Sequence, residues 1–230
     1  LRRNGTIAIK VIAFRKDNFA GDIELSTEDL PSGVTCLATK ILAGKNDGLL
    51  LLTAGPAAEK YAGPLRIVGR AHIGDCAVRH EARGGTVLWR VPDFNETPVS
   101  ARLTREFPFA VSDAEEAPIS IEPTEDKVWE TALGAKVEIP LKITRRGEFK
   151  DPLELRAGGA PGIEAWTHLT AAPNDTTLKA TIDPTALKLP AGEHTIYFTG
   201  LTKGKFRKAD VTTEVYSTPI RLEVKAAAAK

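Results

Sequence analysis

A chain of 230 residues is long enough for one large domain or two of ordinary size. With 42% hydrophobic and 27% charged residues it belongs with globular rather than disordered sequences. Lys and Arg number 31 against 30 acids, a net charge of +1, which excludes a global attraction to nucleic acid or an anionic membrane surface.

The sequence opens at Leu1 with no targeting segment, as expected of a processed or excised piece of a larger protein. From Ile7 the apolar residues alternate, Ile7-x-Ile9-x-Val11-x-Ala13, the period of a half-buried strand. "RKDNF" follows, then Ile23-x-Leu25 and the turn "LPSG". The run "LLLL" at 49–52 is far short of the ~20 apolar residues that span a bilayer, so no membrane span is expected. Turn signals "AGKNDG", "TAGPAA" and "YAGP" lead to "LRIVGRAHIGDCAVRHE", a hairpin turning at Gly74.

A second copy of this grammar follows. At an offset of 130, Val137, Ile139, Leu141 and Ile143 fall on Ile7, Ile9, Val11 and Ala13, and "RRGEF" falls on "RKDNF". Leu153 and Leu155 fall on Ile23 and Leu25, and "IYFTG" (196–200) matches "LRIVG" (65–69). The period is too long for solenoid units. Many short alternating strands punctuated by Pro and Gly predict all-β architecture, with two tandem sandwiches of immunoglobulin or fibronectin-III kind. "TAGPAAEKYAG" and "IDPTALKLPAG" are each expected to hold a short turn. The expected division is 1–113 for the first sandwich, 114–225 for the second, and 226–230 as the start of a linker.

The copies differ in two places. Copy one carries an inserted loop near 81–100, within which Trp89 is expected to cover the junction with copy two or, alternatively, to be a plain loop residue or offer a ligand platform. Copy two is preceded by 117–134, a first strand and its turn, whose counterpart would lie before Leu1. Copy one therefore lacks its first strand, either by truncation or because another chain donates it.

Candidate site residues are few. Cys36 and Cys76 permit one structural disulfide or two free thiols, and neither sits in a C-x-x-C pair. His72, Cys76 and His80 use a zinc vocabulary, but the turn "IGD" breaks their register and a fourth ligand is missing, so no metal is expected. "KGKFRK" groups Lys203, Lys205, Arg207 and Lys208 around Phe206; it could grip phosphate or an anionic glycan, though such runs are ordinarily solvated hairpin tips. Trp129 and Trp166 sit in strand-like stretches, where core or junction roles come first. There is no G-x-S-x-G, H-E-x-x-H or Walker loop, so neither catalytic residues nor cofactors are expected.

"FRKDNFAGDIELSTEDLPSGV", "ILAGKNDGLLLLTAGPAAEKYAGPLRIVGRA" and "RLTREFPFAV" together resemble bacterial Ig-like domains of planctomycete-type secreted proteins, which occur in tandem and often alongside pre-peptidase C-terminal modules. Copy two departs from the pattern by placing Asp151 where copy one has Gly21. The resemblance implies a fold and an extracytoplasmic setting (secreted, cell-surface or periplasmic), and it transfers no functional site. The expected function is a non-catalytic spacer or protein-interaction segment of a larger exported bacterial protein; a carbohydrate-binding accessory module is the alternative. Neighbouring domains, other surface proteins and head-to-tail self-assembly through the open edge of copy one are the expected partners.

Overall fold

The computed structural model describes residues 1–89, 100–149, 151–206 and 209–226. The described residues are all-β apart from one 3-10 turn at Ile163–Ala165. Before Ala117 come β1 (Arg2–Arg3), β2 (Gly5–Ile12), β3 (Ile23–Glu28), β4 (Val34–Cys36), β5 (Thr39–Ile41), β6 (Asp47–Ala54), β7 (Tyr61–Ile73), β8 (Cys76–Glu81), β9 (Gly84–Trp89), β10 (Ser100–Thr104) and β11 (Phe107–Glu116). After it come β12 (Ile119–Pro123), β13 (Trp129–Ala132), β14 (Val137–Arg145), β15 (Leu153–Gly158), β16 (Leu169–Ala171), β17 (Thr177–Ile182), β18 (Gly192–Phe206), β19 (Ala209–Tyr216) and β20 (Ile220–Lys225). The expected turns connect β6 to β7 and β17 to β18.

The ladders repeat. In the first half, a sheet β2-β6-β4 faces a sheet β1-β11-β7-β3-β5, with β8 also on β7. In the second, β12-β14-β17 faces β13-β20-β18-β15-β16, with β19 on β18. Ile7 pairs with Leu52 as Val137 pairs with Ile182, and Ser26 pairs with Val68 as Arg156 pairs with Thr199. Each pair of sheets closes in a sandwich-like arrangement on a cluster of alternating aliphatic side chains. Leu25, Ile41, Leu50 and Leu52 lie in one cluster, and Ile121, Ile139, Leu141 and Leu155 in the other. Burying such side chains contributes about 1.5–3 kcal/mol each.

The motif spelled twice acquires a reason. Arg15 donates to the carbonyls of Leu42 and Lys45, and Arg145 donates to those of Ala172 and Asp175, clamping the turn after β5 and after β16 in the same way. The Phe that follows differs: Phe149 is buried in the core, whereas Phe19 is half-buried under the Arg15 guanidinium, 5.3 Å from the ring centre.

Three features depart from the sequence expectation. β11 continues through residues 113 and 114, where the division was expected, and pairing passes from one half to the other at Ala117 and Pro118. The insertion is not a bare loop: β9 and β10 pair as an antiparallel hairpin. It leaves between Ala82, whose N–H donates to Ile67, and Phe107. In the second half the matching place, between Ser217 and Ile220, holds only Thr218 and Pro219. Lastly, the β18–β19 hairpin is longer than β7–β8. Cys76 pairs with Ile73 and Val211 with Gly204, so Val211, and not the Phe206 that an offset of 130 gives, stands where Cys76 does. Of the expected linker, residues 227–230 lie outside the described residues.

Copy one does not lack the whole of its expected first strand. β1 runs parallel to β11 as β13 runs parallel to β20, but among the described residues nothing matches β12 on the edge of β2.

Candidate functional site

The two halves meet across the two-residue connection Ala117-Pro118, and both residues are buried. Ala117 N–H donates to Arg3 O at 2.8 Å, and Arg146 N–H donates to Pro118 O at 2.8 Å. The Arg146 guanidinium reaches Glu116 at 2.5 Å and donates to Ala117 O at 3.0 Å and to Ser120 Oγ at 3.1 Å. Gly5 sits so close that a Cβ there would lie 2.9 Å from that of Ala117. Strands β12 and β19 also approach β2. Every backbone polar group given a partner in this joint resists bending, because opening it in a buried setting costs about 1–3 kcal/mol per group.

The lysines of "KGKFRK" sit differently from a bare cationic tip. Lys203 and Lys205 are exposed on the far end of β18, and the backbone of Lys205 is tied to Glu148 by two hydrogen bonds, at 2.8 and 2.9 Å. They line a surface groove of about 470 Å³ shared with Glu148, Asp151 and Asp210, so carboxylates already surround them. Arg207 and Lys208 lie outside the described residues. A groove of about 460 Å³ occupies the same repeat position in the first half, lined by Asp22, Glu24, Arg70, His72 and Arg79. Its chemistry is equally mixed, with Glu28 nearby holding both Arg70 and Arg79 at 2.7 Å.

The structure does not join Cys36 to Cys76; both are free thiols. Cys36 is half-buried on β4, and that burial pushes its thiol pKa up, while Cys76 is exposed at the hairpin tip. Among the described residues no group of three or more His, Cys, Asp or Glu is placed to hold a metal ion. Trp89 ends β9, opposite Ser100. Trp129 is buried in the second core with Lys127 4.3 Å from the ring centre. Trp166 is half-buried against Phe198, and its indole N–H donates to Thr181 O at 2.8 Å. Both therefore serve packing first. Sequence reasoning missed Arg146: within "RRGEF" the second Arg has the same signal as Lys16, and only the junction distinguishes them.

Among the described residues no helix is long and apolar enough to cross a membrane, which says nothing of strands. No family model matches the chain, and no curated protein matches it.

Proposed function

We propose that the chain is a non-catalytic spacer or protein-interaction segment of a larger exported bacterial protein. In this reading its two halves are immunoglobulin- or fibronectin-III-like sandwiches held in series. One observation carries the proposal: the halves are joined through two buried, hydrogen-bonded residues and not through a polar linker, and a stiff joint is what a spacer needs. The likeness of residues 14–34 to bacterial Ig-like domains supports the extracytoplasmic setting.

Residual dipolar couplings from both halves in one alignment medium test the idea. A single alignment tensor that fits residues 1–116 and 119–225 together is the expected result, and Arg146→Ala should split it into two. Two independent tensors in the unaltered chain would overturn the spacer role. The carbohydrate-binding alternative is weakened because Trp129 is buried in the second core and Trp166 packs half-buried against Phe198. Saturable quenching of Trp fluorescence by a polysaccharide would restore it.

A further inference from the structure

We propose that the outer face of the β18–β19 hairpin, at Tyr197, Tyr216 and Leu201, is a docking surface for an arginine-bearing segment of a partner protein. It gives a partner to the protein-interaction reading above and rests on that reading. Ile196 and Phe198 point into the second core, so Tyr197, Thr199 and Leu201 point out of the sandwich. Thr199 pairs with Tyr216 and Leu201 with Glu214, which brings these side chains onto one face.

The first half shows the same face closed on itself. "LRIVGR" falls on "IYFTGL", so Arg66, Val68 and Arg70 occupy the positions of Tyr197, Thr199 and Leu201. In the pairing, Glu28 stands where Gly158 does, Glu81 where Tyr216 does and Arg79 where Glu214 does. There the charges satisfy one another: Glu28 holds Arg70 and Arg79, each at 2.7 Å, and Asp29 holds Arg66. The second half exchanges that ionic lattice for two tyrosines and a leucine. The rings pack with centroids 6.0 Å apart and planes tilted by 52°. The hydroxyl end of Tyr197 lies over Gly158, where a Cβ would stand 2.5 Å from it, so the glycine makes room for a ring laid along the sheet. Leu201 beside them is 60% exposed. Aromatic and aliphatic groups left open together mark a contact surface.

Charge selects the partner. Glu214 Oε1 accepts the Tyr216 hydroxyl at 2.8 Å, which leaves Oε2 without a partner among the described residues. The Tyr197 phenol pKa is raised, by burial first and then by the Glu164 and Glu214 carboxylates, so both acids act on the rings. Both are exposed, and Arg156, opposite Thr199, is one cation against them. An arginine fits this setting better than a lysine. Its planar guanidinium can stack on a tyrosine face while its N–H groups reach the open carboxylate oxygen. The chain already uses such stacking internally, with Arg15 5.3 Å from the centre of the Phe19 ring.

The probe is a blocked peptide, acetyl-GRGRG-amide, with lysine and citrulline versions, titrated into the intact chain and followed by amide and tyrosine-ring NMR. Saturable shifts centred on residues 197–201 and 212–216 are expected. The arginine peptide should bind at least about threefold more tightly than the citrulline version, with lysine between them. Leu201→Arg, which restores the first half's residue at an exposed position, and Glu214→Gln should each weaken the arginine peptide by about that factor, with an unmoved thermal midpoint showing that the fold is kept. Absence of saturable binding, shifts centred elsewhere, or unchanged affinity in both variants would overturn the proposal. So would a response of the same residues to cellohexaose with no preference for arginine, which would assign the face to sugar. The dipolar-coupling test of the joint is independent: a failure here leaves the stiff spacer standing, and a flexible joint leaves this binding in place.

Discussion

Arg145 does for the second half what Arg15 does for the first: each Nη2 donates at 3.0 Å to the opening carbonyl of the turn it clamps, Ala172 O and Leu42 O respectively. Removing a charged donor from two carbonyls costs about 1.5–3 kcal/mol. Arg145→Ala and Arg15→Ala should each lower unfolding free energy by that order in urea titrations. Lys16→Ala, beside Arg15 on an exposed site, should change it by less than about 0.5 kcal/mol. Equal effects at positions 15 and 16 would contradict the clamp.

Repeat-equivalent glycines should not behave alike. A Cβ at Gly200 would stand 2.5 Å from the carbonyl oxygen of Glu154, on the neighbouring strand, whereas the nearest atom to one at Gly69 would be in the Ile23 side chain, at 3.2 Å. Overpacking against backbone costs about 1–3 kcal/mol, and a side-chain methyl can yield. Gly200→Ala should therefore destabilise clearly and Gly69→Ala by less than about 1 kcal/mol, measured as separate denaturation midpoints.

The thiols offer a chemical readout. Cys76, exposed at its hairpin tip, should react with a disulfide reagent at once, and Cys36 slowly, because burial raises its thiol pKa and limits access. Two thiols per chain and a mass unchanged by reductant are expected. One thiol or none would indicate a bridge.

The Tyr216 phenol is pushed up to about 12, first by burial and then by Glu214, whose carboxylate accepts its hydrogen bond at 2.8 Å. The folded state thus holds this proton more tightly than the unfolded chain does. The stability it contributes is whole below pH 10 and is lost as pH rises toward 12. Absorbance at tyrosinate wavelengths should show a late ionisation that Glu214→Gln brings down, and an unmoved titration in that variant would refute the assignment.

Much of the framework was legible because apolar residues at every second position suit a strand with one buried face and suit a helix poorly. Ile139, Leu141 and Ile143 announce an inward face, and they form one. The hairpin β9–β10 was not legible: its strands are separated by 90–99, too far apart for a short-turn signal, so the stretch read as a loop. An offset of 130 would set Cys76 on Phe206, but pairing register and chain offset part company once one hairpin is longer. The junction was invisible because Ala117-Pro118 carries no alternation, and the hydrogen bonds that hold it come from Arg3 and Arg146, each distant in sequence from part of what it holds.

The two halves also show where this architecture accepts passengers. Ile67 and Phe198 each hold the strand just before the departure point, and Phe107 and Ile220 each resume the ladder just after it. What intervenes, a whole hairpin in one half and two residues in the other, leaves those flanks alike. A loop or epitope grafted between Thr218 and Pro219 would enter at an address the fold has already proved tolerant, and would emerge beside the joint that fixes its heading.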